Sequence, residues 1–177
     1  YLGMVFALFT FKMAHVPNQS AHLKPINERL NLLLTCGSWR DDAIVRQLPR
    51  LLSTMGIHSL NANTGEEAVE MISKSDIHIA IVDLSIPLSS VSADKRPGGV
   101  RVLQLLRRLN PQPPPIVILP RQSTARENAR SLARSLHEGA FTVVDRPAML
   151  ETLLDALHRV LKRHYADRWP SVRNWKQ

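Results

Sequence analysis

The chain holds one cysteine, Cys36, in 177 residues. An intramolecular disulfide is therefore excluded, and a reducing compartment, the cytoplasm, is the expected location. His15, His22, His58, His78, His137, His158 and His164 are scattered, and no Cys/His group has the spacing of a zinc site. The sequence also lacks a glycine-rich phosphate loop, a nucleophile elbow and any Ser/His/Asp set at recognisable spacing, so a conventional enzyme is not expected. No apolar run is long enough to span a bilayer. The run at 2–11 falls short, and its basic residue, Lys12, follows it instead of preceding it, which argues against a secretion signal or a membrane anchor. The chain opens on Tyr1 rather than Met. A misplaced translation start or a fragment is the simpler reading, with Met13 a credible true start, and residues 1–29 are expected to be a disordered or mis-assigned extension that packs poorly on the domain.

Acidic residues are in deficit. The formal charge is +8, with 23 Lys and Arg against 15 Asp and Glu, and the excess lies mainly in the second half. Such a balance suits nucleic acid or an acidic protein surface, although arginines also simply solvate the outer faces of helices. The hydrophobic content, 44%, is enough for a proper core.

Strand and helix patterns alternate along the chain. Residues 30–36 read as a buried strand ended by Gly37 and Ser38. A helix follows to about Met55, with Ser38 or Asp41 as its cap and Gly56 as its stop. Pro49 lies inside it and is expected to kink it, since an interior proline costs about 3 kcal/mol. Residues 57–62 form a short second strand. Thr64 followed by Glu67 resembles a capping box opening the next helix.

The most informative stretch is 77–87, a β-branched run broken only by His78, ending on Asp83 and closed by Pro87. Such a run suits a strand buried on both faces. Open α/β sheets place their chemistry at the carboxyl ends of such strands, so Asp83 is either a functional carboxylate or a helix-capping one. Beyond it come a polar loop at 89–97, a helix at 100–109, a strand at 116–119, an Arg-rich helix at 123–137, a strand at 141–144 and an amphipathic helix at 148–164. Five βα units in order predict an α/β fold with a doubly wound, five-stranded parallel sheet, spanning 30–164. The segment 165–177 reads as a basic, aromatic tail.

The order of these motifs, with Asp83-x-x-x-Pro87 on the third strand, Gly65-Glu-Glu-Ala68 opening the second helix, and Gly139-Ala140 leading to Arg146-Pro147, resembles the receiver domain of bacterial two-component response regulators. The resemblance implies a flavodoxin-like sheet in strand order 2-1-3-4-5, with Asp83 as the phosphoacceptor equivalent. It also implies helpers: an acidic pair after the first strand to hold a divalent metal, usually Mg2+, a lysine after the fifth strand, a Ser or Thr after the fourth, and an aromatic in the fifth.

The chain departs at almost every helper. The acidic pair is replaced by Thr35, Cys36, Gly37, Ser38 and Trp39. Asp41 and Asp42 are possible substitute acids, but they come late and suit the first turn of the helix. Pro120 stands at the Ser/Thr position, with Ser123 or Thr124 the nearest hydroxyls; Val143 stands at the aromatic position and Arg146 at the lysine. A planar guanidinium does not duplicate a compact ammonium.

These departures predict a degenerate receiver acting by protein–protein interaction, with no catalytic residue, cofactor or metal, in which Asp83 pairs with Arg146. The partner would be a histidine kinase or downstream regulator, or a second copy through the fourth and fifth helices. Two alternatives stand beside this reading: an active phosphoacceptor receiver using Asp83 with Mg2+, and nucleic-acid binding through the basic helices and tail. The last lacks a helix-turn-helix or zinc finger, and steep salt dependence would be its signature.

Overall fold

The computed structural model describes residues 30–37, 39, 41–90, 97–120, 124–146 and 150–166. Strands and helices alternate without exception: β1 Leu30–Thr35, α1 Ala43–Thr54, β2 Ile57–Ala62, α2 Gly65–Lys74, β3 Ile79–Asp83, α3 Gly99–Leu106, β4 Pro115–Ile118, α4 Ala125–His137, β5 Thr142–Val144 and α5 Leu150–His164. The strands form one sheet in the order β2-β1-β3-β4-β5. Every pairing is parallel. This is the order expected from sequence, with β3 at the centre.

Alternation along the strands divides the interior in two. Leu30, Leu32 and Leu34 of β1, Ile79 and Ile81 of β3, and Ile116 and Ile118 of β4 point to one face, where Leu48 and Leu52 of α1 and Leu153, Leu157, Val160 and Leu161 of α5 cover them. Leu33, Ala80, Val82 and Val117 point to the other, under Ala68 of α2 and Val102, Leu103 and Leu106 of α3. A central strand covered on both sides is apolar along its length, and all five residues of β3 are buried, the first four of them apolar and the last the carboxylate Asp83.

Local signals explain several of the helix ends. Thr64 caps α2 by accepting a hydrogen bond from the Glu67 amide, 3.1 Å, and the Glu67 carboxylate reaches back to the Asn63 amide, 2.7 Å. The next two orphan donors of α2 are met from outside. The amides of Gly65 and Glu66 donate to the carbonyls of Pro87 and Leu88, which ties the loop after β3 to the start of α2. Gly56 and Gly139, at φ +76° and +93°, follow the ends of α1 and α4 as left-handed stops. Pro49 lies within α1, which is nevertheless one helix from Ala43 to Thr54; the ring nitrogen cannot donate to the Val45 carbonyl.

Two segments differ from what periodicity suggests. Tyr165, assigned from sequence to the tail, packs back on the domain: its amide donates to Leu161 and its hydroxyl to the His78 carbonyl at 2.6 Å. Helix α4 buries only Ser135, while Leu132 and Leu136 are 40% and 53% exposed. The expected extension at 1–29 and the rest of the tail lie outside the described residues.

Candidate functional site

Asp83 ends β3 at the carboxyl edge of the sheet, and its residue exposure is 0%. Its amide donates to the buried Thr35 hydroxyl at the end of neighbouring β1, 2.8 Å. Its carboxylate Oδ1 accepts from both the amide and the hydroxyl of Ser85, at 2.8 and 2.6 Å. That is the side-chain turn an aspartate forms two residues ahead, and it holds one oxygen toward its own chain.

The other oxygen meets main chain. A Cβ placed on Gly37 would lie 2.6 Å from Oδ2 of Asp83 and 2.8 Å from the Ile86 amide nitrogen. Neither distance is one a real side chain occupies, so the segment after β1 passes over the carboxylate only because residue 37 is glycine. Gly99 repeats the device on the far side of the strand, where a Cβ would lie 2.5 Å from the Leu84 Cα. The strand end is thus enclosed by closely apposed backbone.

The stretch that replaces the acidic pair forms part of this enclosure. The Cys36 amide donates to the Ala62 carbonyl, 2.9 Å, carrying the β1–β2 ladder past the strand end. Trp39 is 1% exposed and belongs to the core under α1 and α5. Its indole nitrogen donates to the Thr35 carbonyl, 3.2 Å. The loop therefore turns a large apolar anchor inward from the place where acids were sought.

Arg146 does not take the partner expected from sequence. The structure pairs it with Asp42, Nη2 to Oδ2 at 3.3 Å, with side-chain exposures of 15% and 51%. The physical reason is the position of Asp42. It occupies the N-cap of α1 in extended conformation, φ −65° and ψ 141°, and its side chain makes no cap hydrogen bond. Its carboxylate is left to reach across to the β5 end, while that of Asp83 is bound by Ser85 beneath Gly37. Asp41 is exposed, and the first turn of α1 contains no acid, so neither aspartate has the first-turn place predicted for it.

The remaining helper positions are accounted for in the same way. Pro120 follows β4, half-buried, and offers no donor. Thr124 caps α4 by accepting from the Glu127 amide, 3.2 Å, which commits the hydroxyl that sequence reasoning held in reserve; Ser123 lies outside the described residues. Val143 is half-buried and packs against the core under α2 and α3.

The donor set among the described residues does not fit a Mg2+ ion. Such an ion demands near-octahedral oxygen ligands at roughly 2.0–2.1 Å. The β1 end offers Cys36 and Gly37 in place of carboxylates, and Asp42 is engaged by Arg146. Among the described residues no group of three or more His, Cys, Asp or Glu is arranged to hold a metal. Sequence reasoning missed Gly37 and Ser85 as determinants of the site. Asp-x-Ser was a readable turn signal, but the requirement for glycine at 37 arises from a neighbour 46 residues away in the chain.

Comparison with known proteins fixes the family. The model for the response regulator receiver domain matches residues 40–158, and the chain belongs to that family. The match opens beyond β1, so the stretch 35–39 lies before it. Response regulator MprA of Mycobacterium leprae is 30% identical over 128 residues, which cover 72% of this chain and 50% of that protein. The autoinducer 1 sensor kinase/phosphatase LuxN of Vibrio harveyi is 28% identical over 127 residues, 71% of this chain and 13% of that protein. The chain thus spans half or less of these curated relatives.

Among solved structures, a CheY-like receiver domain protein from Methanospirillum hungatei superposes with a TM-score of 0.58 at 22% identity, covering 76% of this chain and 95% of that one. The signal receiver domain of an HD domain-containing protein from Pseudomonas fluorescens gives 0.61 at 18% identity, covering 81% and 94%. These likenesses carry the fold. Together with the family match they make this a receiver domain of two-component signalling, a class of signalling module. No helix among the described residues is long and apolar enough to cross a membrane.

Proposed function

We propose that this receiver acts by protein–protein contact and without metal-dependent phosphorylation of Asp83. The observation that supports the reading is the packing of Gly37 onto the Asp83 carboxylate, which leaves a side chain at 37 no room beside Oδ2. Phosphorylation would add a charge of roughly −1.5 to −2 at a buried strand end. In-line transfer depends on cations and donors already in place around the phosphoryl oxygens. Here the metal-binding acids are absent from the β1 end, Pro120 stands at the Ser/Thr position with the Thr124 hydroxyl beyond it capping a helix, and Arg146 is held by Asp42. The active-phosphoacceptor alternative would require Asp42 to leave Arg146 and Gly37 to withdraw from Asp83.

The test is incubation of the full chain with acetyl phosphate and Mg2+, read by intact mass, beside a Mg2+ titration followed by amide shifts. The expected result is no gain of a phosphoryl group and no saturable response at millimolar Mg2+. Saturable binding that is lost in Asp83→Asn, or a phosphoryl adduct on Asp83, would restore the phosphoacceptor. The partner on this reading is a histidine kinase or a downstream regulator, engaged through the face made by α4, β5 and α5.

A further inference from the structure

Beside the start of β5 an open cleft of about 800 Å3 is lined by Phe141, Thr142, Arg159, Lys162, Arg163 and His164. Arg159, Lys162 and Arg163 are exposed, and no carboxylate among the described residues lies within salt-bridge reach of any of them. They are nonetheless organised. The Arg163 guanidinium lies 5.9 Å from the Phe141 ring centroid, and Phe141 meets the His164 ring edge-on at 5.5 Å. Three cations around an aromatic floor, with no counter-charge paired to them among the described residues, suit an anionic group.

The adjoining helix supplies the second half of the surface. Within α4 the partly or wholly buried polar residues Asn128, Ser131 and Ser135 face the domain, while Leu132 and Leu136 stand exposed. Ala125, Ala129 and Ala133 recur at helical spacing with those leucines. A surface helix normally buries its apolar arc, and α4 instead shows it to solvent beside Arg126, Arg130 and Arg134. Leu136 precedes Phe141 by five residues, across the turn at Gly139, so the end of α4 connects directly to the strand start that lines the cleft.

We propose that the α4 stripe and the β5–α5 cleft together dock an acidic segment of a partner protein, whose apolar side chains cover Leu132 and Leu136 and whose carboxylates enter the cleft. The inference rests on the interaction reading above and names the chemistry of the partner. The segments flanking the domain in this sequence do not have that character. Residues 1–29 carry Lys12, Lys24 and Arg29 against Glu28, and residues 167–177 carry Arg168, Arg173 and Lys176 against Asp167, so both are net basic. A second copy would bring the same cations face to face. A nucleic-acid backbone would match the charge but leave the leucines uncovered.

The experiment uses the full chain without Mg2+ or phosphodonor, so its outcome is independent of whether Asp83 accepts phosphate. Three labelled probes are titrated: a helical peptide with Leu on one face and Glu on the other, poly-aspartate of equal charge, and oligothymidylate. The Leu/Glu peptide is expected to bind saturably, with its largest amide shifts at Leu136, Phe141, Thr142 and Arg163. Its affinity should fall at least tenfold in Arg159→Glu/Arg163→Glu, and severalfold in Leu132→Ser/Leu136→Ser. Thermal unfolding of each variant checks that the fold is retained, and single Leu136→Ser is the milder substitute if the double change unfolds. Equal binding of poly-aspartate, insensitive to the leucine changes, would reduce the surface to unspecific charge and overturn the proposal. Tighter binding of oligothymidylate through the same residues, or no saturable peptide binding, would overturn it too.

Discussion

At Gly37 the absence of one carbon decides what the site can hold. Its notional Cβ would come within 2.6 Å of Oδ2 of Asp83 and 2.9 Å of the Ile86 Cα, one neighbour being a tied carboxylate and the other backbone. Neither yields cheaply. Gly37→Ala should therefore destabilise the domain by about 1–3 kcal/mol, the usual range for overpacking a close contact. Gly37→Asp, which returns an acid to the region where the family carries one, should cost more and gain no Mg2+ response. Urea unfolding of both variants checks this, and a Gly37→Asp protein as stable as the parent, with saturable Mg2+ binding, would show that the enclosure opens freely.

A second single-residue expectation concerns His164. Burial first, and the neighbouring Arg163 charge second, hold its imidazole below the ordinary 6.5. The folded state thus disfavours the proton. This contribution to stability is present above pH 6.5 and is lost as the pH falls through the lowered value. Arg163→Ala removes the smaller cause only, so the His164 pKa should rise part-way toward 6.5, as followed by its ring C–H shifts. An unchanged value would mean the guanidinium is too well solvated to act on the ring.

Elements were readable where a local pattern sets them, and only there. The spacing of apolar residues placed all ten elements in order, and the bounds of β2, 57–62, were those expected because turn signals stand on both sides. The capping pattern at Thr64 and Glu67 is local by nature and holds in three dimensions. Thr64→Ala should accordingly cost about 1 kcal/mol, the typical loss of an N-cap, in thermal or urea unfolding. By contrast, the pairing of Arg146 with Asp42 joins residues 104 apart in the chain, and no periodicity chooses between Asp42 and Asp83 as its partner. For α4 the sequence defines a helix with polar and apolar arcs, but which arc faces inward depends on the space left by α3 and β5. Here the inward arc carries the small polar residues.

Trp39 shows the same limit at the β1–α1 connection. In sequence it is a lone aromatic in a polar turn; in the fold it is among the largest fully buried side chains. It anchors the loop that crosses Asp83, and the Thr35 residue it binds also receives the Asp83 amide through its hydroxyl. Trp39→Phe keeps most of the volume and should cost about 1 kcal/mol for the lost hydrogen bond, with relaxation of the core adding to it. Trp39→Ala should cost about 3–5 kcal/mol. It should also shift the Asp83 and Ser85 amides, because the loop above them loses its anchor. Unmoved amides at those two residues would mean that the tryptophan stabilises the core without positioning the site.

For the molecule as a whole the governing quantity is the charge of +8 and its placement. Symmetric pairing through α4 and α5 would set Arg126, Arg130, Arg134, Arg159, Lys162 and Arg163 of one copy against the same residues of the other. The acids available to offset them are fewer: Glu127, Glu138, Glu151 and Asp155. The repulsion between such faces reaches roughly 8 Å at 0.15 M salt and roughly 30 Å at 0.01 M. Lowering the salt should therefore keep this receiver monomeric in sedimentation velocity, while the same change tightens its hold on the Leu/Glu peptide. Opposite responses from one surface are what a cationic face selecting an acidic partner requires. A dimer that strengthens as salt is removed would mean that the four acids pair across the two-fold more effectively than the six cations repel, and would make a second copy the natural occupant of the α4–α5 face.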